Sequence, residues 1–486
     1  MSAATTSRRD FIKIVAVSGS ALALGFSFDD AGAQTPPVSF QPNGWIRIDA
    51  DDTVTLTVGK SEMGQGVRTS LPMILAEELG ADWSRIKIRQ ASPSSDFRRL
   101  GTGGSWSVKG MWVPLRTAGA AAREMLIAAA AARWSVDPAT LTVQNGFVVD
   151  GVGQRRIRFG ALAADAAKLP VPVKPALKLQ SDFTLIGRNA RRVDARDIVT
   201  GNATYGLDSR MPGMLYATLV RPRTLGGSIT AFDPTEAKRV RGVKDVVRIG
   251  GGVAVVATNS WAAIKGRDAL KVTFDDGPNA GFDTNRHFLR LEAAAAEPGI
   301  VLRKEGDGAA GLANAAKALS ASYEYPFYAH APVETMNCIA HVHHGRAEVI
   351  VPTQAPNDVQ NRVATLLGLK PEDVHVTVTL MGGGFGRRLG WDYALEAAEL
   401  SKAISAPVQL FWTRADDMKH GYFQAASIHK LSAGLDASGK AIAWTHKKIS
   451  SLHNARTRPK PEQLLDAKWL QAAAAWGVYD LPYDIP

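Results

Sequence analysis

Three times along the chain, apolar residues recur with helical spacing and then switch to alternation. In LPMILAEELGADWSRIKI, Leu71, Ile74, Leu75 and Leu79 fall on one helical face, and the pattern becomes a strand at Ile86–Ile88. The runs AAREMLIAAAAARWSVDPATLTV and VQNRVATLLGLKPEDVHVTVTL repeat the order helix, short loop, strand. Mixed helical and strand patterning of this kind predicts an α+β fold. Between the second and third of these units the character changes. AAKLPVPVKPALKLQ crowds three prolines into a stretch without periodicity and reads as a linker, residues 166–186. Beyond it come short alternating or β-branched runs, GMLYATLVRP, VKDVVRIG, GVAVVATN and ALKVTFDDG, separated by glycine, proline and asparagine. Residues 187–295 are therefore expected to form a β-rich domain of their own, between mixed segments at 34–165 and 296–486.

Two glycine-rich loops interrupt this pattern at comparable places. TVTLTVGKSEMGQGVRTSLPM and VHVTVTLMGGGFGRRLGWD each run strand, glycine loop, helix, which turns successive backbone N–H groups and a helix start toward an anion such as a phosphate. Glycine packs nothing and costs folding entropy, so three in a row at Gly382–Gly384 imply a close approach to the backbone. Familiar nucleotide fingerprints do not fit. The P-loop glycine expected five positions before Gly59 is Val54, and the third glycine of a dinucleotide motif is missing at Arg387 and Leu389.

Composition narrows the class. The 486 residues are 45% hydrophobic and 21% charged, as in ordinary globular proteins, and no segment has the length and apolarity of a membrane span. The net charge of +11 suits an anionic ligand or acidic partner, while no basic motif interleaved with aromatics points to nucleic acid. The amino terminus, TTSRRDFIKIVAVSGSALALGF with AGA at Ala31–Ala33, reads as a twin-arginine export signal over residues 1–33 and implies a periplasmic protein; a short core helix with a basic start is the plainer alternative. The one cysteine, Cys338, can neither form an intrachain disulfide nor hold an iron–sulfur cluster, so any electron transfer must leave through another chain.

Other candidates have plainer readings. His330, His341, His343 and His344 suggest a metal, but only His341 and His343 would share a strand face, and no third ligand stands at a standard spacing. Glu334, Asp416 and Asp417 are possible acid–base groups, although lone carboxylates are usually solvated or paired. Gln354, in VPTQAPNDVQ, sits at a strand end between prolines, where its amide can donate a directed hydrogen bond.

Taken together, the MGQG and GGGFG loops, with the β-rich segment between them and the leader before them, resemble the molybdenum-binding subunit of the xanthine dehydrogenase and aldehyde oxidase family, most of all the beta subunit of isoquinoline 1-oxidoreductase-type enzymes. The resemblance implies a molybdenum-hydroxylase large-subunit fold with an a/b hammerhead domain between molybdopterin-binding segments. It implies a molybdopterin cytosine dinucleotide whose molybdenum takes no protein ligand. Met63, Gly64, Gln65 and Gly66 would contact the pterin and its phosphates together with Gly104 and Ser105 of TGGSWS, and Gly383, Gly384 and Phe385 would lie against the molybdenum. Gln354 would hydrogen-bond an oxygen on the metal. A separate [2Fe–2S] subunit would carry electrons away, with a periplasmic or membrane cytochrome as a further acceptor.

Departures from the family pattern shape the expectation. A glutamate of purine-oxidising members is replaced by Leu389, their substrate-clamping arginine falls on Gln424, and no GEP-type glutamate base stands before Pro486. A general base contributes roughly 10²–10⁴ in rate, so the segment to Pro486 is expected to need one from elsewhere. The sequence thus points to a hydroxylase of N-heteroaromatics or aldehydes with water as oxygen source. An inactive truncated remnant or a periplasmic ligand-binding protein is the alternative.

Overall fold

The computed structural model describes residues 44–94, 97–451 and 477–485, together with the short strands Ile14–Val17 and Ala21–Leu24. The leader expectation for residues 1–33 thus falls largely outside the described residues. The chain divides into two units. One comprises residues 1–220, 233–271 and 332–413, the other 221–232, 272–331 and 414–486.

In the first unit, Ile46–Ile48 pairs antiparallel with Val54–Val58, which runs parallel to Ile86–Gln90. The crossover between the last two is the helix Val67–Leu79, so the expected helix–loop–strand unit forms, with a 3-10 turn at Trp83–Arg85 before the strand. The helix Trp106–Trp134 packs on Val67–Leu79 over a core that includes Ile46, Leu56, Leu71, Leu75, Met125 and Leu126. Gly119 permits the close approach, because a Cβ there would sit 2.7 Å from the Leu75 carbonyl oxygen and 2.8 Å from Glu78 Cβ.

The same unit holds a seven-stranded sheet in the order Val243–Ile249, Gly252–Ala257, Leu215–Val220, Val408–Phe411, Asn337–His343, Arg346–Val351, Val374–Val378. Three strands of the β-rich segment at 187–295 belong to this sheet. They end in an open edge at Leu215–Val220, and that edge pairs in parallel with Val408–Phe411, so the ladder continues into the later segment. The helices Pro356–Leu367 and Asp392–Ile404 cover one face, burying Val349, Val351, Val359, Val363, Val376, Ala394 and Ala397.

The end of the proline-rich stretch is tied to the first core. Buried Glu77 accepts from the backbone amides of Thr184, Leu185 and Ile186 at 2.9, 2.6 and 3.1 Å and pairs with Lys178 at 2.8 Å. Its neighbour Glu78 pairs with Arg116 and Arg123 and accepts from the Lys178 amide. Two adjacent helix carboxylates thereby strap residues 178–186 to the first core. The residues so strapped lie about a hundred positions further along the chain, beyond the reach of local patterning.

The second unit is built on an antiparallel sheet of Lys317–Tyr325, Ser427–Leu435 and Ala441–Ser450. The helix Thr284–Ala296, capped by Asp283 on the Arg286 amide, contributes Leu291 to a small core with Ala426 and Ile428.

Candidate functional site

The strand Val54–Val58 delivers its glycine loop to the start of the helix Val67–Leu79, where Gly64 and Gly66 adopt φ of +108° and +85°. The loop's amides do face an anion, and the anion is the chain's own. Glu62, 3% exposed, accepts from the amides of Gly64, Gly66 and Arg68 at 2.9, 2.9 and 3.0 Å, and Arg192 approaches its carboxylate at 3.3 Å. The side chain of Gln65 folds back on the same loop, accepting from the Met63 amide at 2.7 Å and donating to the Ser61 carbonyl at 2.9 Å. Gly64 and Gly66 therefore do not offer these amides to a phosphate while Glu62 holds them.

The second glycine loop folds against the first. Met381 donates its amide to the Glu62 carbonyl at 3.2 Å. A Cβ on Gly384 would lie 2.5 Å from the Met63 sulfur and 2.8 Å from Gln354 Oε1, and one on Gly382 would lie 2.5 Å from Glu334 Cβ. Gly383, at φ +99°, would meet the Phe385 ring and Pro332. The missing side chains are thus accounted for by the protein's own packing.

Gln354 stands at the centre of this arrangement and is 2% exposed. Its Nε2 donates to the Thr102 carbonyl at 3.0 Å and its Oε1 accepts from the Gly386 amide at 3.1 Å. Its backbone carbonyl accepts from the Thr102 amide at 2.8 Å, its backbone amide donates to the Arg388 carbonyl at 3.0 Å, and Thr102 Oγ1 accepts from the Ser61 amide at 2.8 Å. One chain of hydrogen bonds thus joins Ser61, Thr102, Gln354 and Gly386. Gly104 and Ser105, both left-handed at φ +59° and +57°, lead from Thr102 into the helix Trp106–Trp134 and are exposed. Phe385 is left-handed as well, at φ +52°, and 65% exposed. A large apolar ring held outward on disfavoured backbone is a local cost of about 1–3 kcal/mol, a pattern that clusters at ligand-binding loops.

Sequence reasoning missed what lies beneath the loop. Arg388, fully buried, donates to the carbonyls of Gly383 at 2.9 Å, Pro352 at 3.2 Å and Glu334 at 2.6 Å, and pairs with the Glu334 carboxylate at 3.2 Å. The Glu334 carboxylate also accepts from the amides of Leu207 and Gly382 and from Asn337 Nδ2. With four donors on its two oxygens, Glu334 is a structural anion rather than a free base. Arg387 forms a two-point pair with Asp392 at 2.9 and 2.7 Å beneath the Trp412 ring, and the Tyr393 hydroxyl donates to Pro352 at 2.9 Å. The adjacent arginines were visible in sequence, but arginines are rarely fully buried, and nothing local marked these.

The remaining candidates lie elsewhere. His341 and His343 do share a face and stack at 4.2 Å, with His344 edge-on to His343. Cys338 is buried, and burial pushes its thiol pKa up. In the second unit, Asp417 pairs with Arg414 at 2.7 Å, and Gln424 bonds His330 at 2.9 Å. Leu389 sits beside Gly103 in the first unit, 3.8 Å from where a Cβ on that glycine would lie.

Residues 10–206 and 294–460 match sequence profiles of the molybdopterin cofactor-binding domain. The chain is 30% identical over 509 residues to the isoquinoline 1-oxidoreductase beta chain of Brevundimonas diminuta, covering 93% of this chain and 65% of that protein. It is also 30% identical over 479 residues to the membrane-bound aldehyde dehydrogenase [pyrroloquinoline-quinone] of Gluconacetobacter polyoxogenes, covering 91% and 60% respectively. Against a nicotinate dehydrogenase chain of Pseudomonas putida the identity is 29%, over 82% of this chain and 34% of that one. The chain thus spans about three fifths to two thirds of the length of the first two relatives.

Proposed function

Because the chain belongs to the family built from molybdopterin cofactor-binding domains, we propose that it forms the cofactor-bearing part of a molybdenum hydroxylase that oxidises an aldehyde or an N-heteroaromatic. The observation that carries this reading is the locked assembly of Met63, Thr102–Ser105, Gln354 and Gly382–Gly386, whose exposed ends, Ser105 and Phe385, stand on left-handed backbone. That surface presents Ser105 and Phe385 to an incoming ligand. When bound, the cofactor would supply oxidation of a carbon centre with water as oxygen source.

The chain's own residues then hold and position. Gln354 has one amide N–H on Thr102, leaving its other to offer a directed hydrogen bond toward the ligand. Met63 and Phe385 supply apolar contact, and Arg388 and Glu334 keep the second loop in place from below. In this reading the chain is exported by the twin-arginine route to the periplasm, binds the cofactor in its cytosine dinucleotide form, and works with a small [2Fe–2S] subunit that passes electrons to a periplasmic or membrane cytochrome. Supporting it are the leader motif, the net charge and the names of the relatives above.

The test is to co-produce the chain with an iron–sulfur partner in a cofactor-proficient host and assay aldehydes and N-heteroaromatics with a dye acceptor in ¹⁸O-water. Label entering the product from water supports the reading. A complex that holds molybdenum and iron yet oxidises neither substrate class, or takes its oxygen from O₂, overturns it.

A further inference from the structure

With the amides of the first glycine loop already taken by Glu62, the question is where a phosphoryl group would bind. We propose that phosphoryl anions are held instead in a separate basic cavity, lined by Lys60, Arg98, Arg99, Gly101, Asn357 and Asp358. The inference rests on the reading above and specifies which part of that site takes the ligand's anionic end.

The cavity is a recess open to solvent with a volume of about 320 Å³, room enough for a phosphate or pyrophosphate group. It adjoins the assembly just described, since Gly101 precedes Thr102 and Ala355, also in its wall, follows Gln354. Lys60 donates to the carbonyls of Gly101 at 2.8 Å and Arg99 at 3.2 Å, and among the described residues it forms no ion pair. Carbonyls orient the ammonium without neutralising it, and burial lowers its pKa, the signature of a cation whose charge is incompletely compensated. Lys60 and Arg99 alone outnumber the single carboxylate of Asp358 in the lining.

Residues 97–100, which carry the arginines, are held at both ends. Asn357 accepts from the Leu100 amide at 2.9 Å and donates to the Phe97 carbonyl at 2.8 Å, while Phe97 and Leu100 are buried with Ala91 against Trp45. Arg98 and Arg99 are thereby presented at the cavity on an anchored segment. The neighbouring amide cradle differs in kind, because any anion entering it must first displace a carboxylate that holds three amides.

The probe is inorganic pyrophosphate, titrated calorimetrically at low ionic strength into full-length protein from a host unable to make molybdopterin. Wild type should bind saturably, and Lys60→Met and Arg99→Gln should each weaken binding about tenfold, the worth of one charge-assisted contact. Lys168→Met, which removes an exposed positive charge elsewhere, and Glu62→Gln should leave binding unchanged. Arg99 is exposed, so its variant keeps the test valid if Lys60→Met fails to fold. Binding indifferent to both cavity variants, or strengthened by Glu62→Gln, overturns the proposal. The source of the anion is separated by the pterin content of protein made in a proficient host. Lys60-dependent pyrophosphate binding with bound pterin assigns the cavity to the cofactor's tail; the same binding without pterin assigns it to a free phosphate and removes the hydroxylase reading instead. Bound pterin with pyrophosphate binding that ignores Lys60 and Arg99 refutes the cavity alone.

Discussion

Replacing Gly384 by alanine separates two reasons for a bare backbone in the second glycine loop. If the glycine is there to admit a ligand, the cofactor-free protein should tolerate a methyl group at that position. The structure says otherwise. The new Cβ would stand 2.5 Å from the Met63 sulfur and 2.8 Å from Gln354 Oε1, both well inside contact distance. Met63 can swing its thioether away at small cost, because methionine is unbranched and adaptable. Gln354 cannot yield without lengthening its bond to the Gly386 amide or to the Thr102 carbonyl. Overpacking of this kind costs about 1–3 kcal/mol, and a value near 2 corresponds to a fall of about 3 °C in Tm for a unit of this size. Met63→Ala removes only the sulfur contact, so in the Gly384→Ala background it should recover part of the loss and no more. The assay is thermal melting of wild type and the two single and one double variants, all from a host lacking molybdopterin. An unchanged Tm for Gly384→Ala in that cofactor-free material would refute the packing argument.

Further outcomes follow from the same contacts. Glu62→Gln keeps the shape, but its single carbonyl oxygen can accept from only the Gly64 and Gly66 amides, as neutral bonds, while its NH2 group faces the Arg68 N–H, so chemical denaturation should show a loss of about 1–3 kcal/mol. Burial works against the charged form of Glu77, but Lys178 and the amides of residues 184–186 outweigh it and hold its carboxyl below the usual range. The stability this group contributes is therefore complete above the ordinary carboxylate pKa and lost as pH falls through the lower folded value, so hydrogen exchange at residues 184–186 should accelerate on acidification before global unfolding. Burial pushes the Tyr393 hydroxyl up to about 12, so its contribution is complete below the ordinary phenol pKa of about 10 and declines as pH rises from there; ultraviolet titration of native protein should show this phenolate late. Cys338, buried with its thiol pKa raised, should react with a thiol reagent only on unfolding.

The local architecture was legible because its signals are local. Helical spacing at Leu71, Ile74, Leu75 and Leu79 and the alternation of VHVTVTL gave elements that the structure places within a few residues. The glycine loops were conspicuous for the same reason. What sequence could not reveal was the identity of the groups those loops face, because Met63 meets Gly384 across some three hundred residues, Gln354 meets Gly386 across 32, and Glu62 closes on its own loop within six. Charged residues in particular misled. Glu77, Glu78, Arg387 and Arg388 look like surface residues in the chain and are interior in the fold, each offset by a partner that only the tertiary arrangement supplies. The β-rich segment looked independent because its strands are short and regular, and only the parallel pairing of Leu215 with Val408 shows that its sheet continues elsewhere.

The most direct test of the account is the molybdenum and pterin content of the purified chain produced where the cofactor is made. Metal analysis together with pterin fluorescence after denaturation should give close to one molybdenum and one pterin per chain, falling sharply in a Gln354→Ala variant that severs the tie between Thr102 and Gly386. Protein that folds, melts cooperatively and carries neither would contradict it.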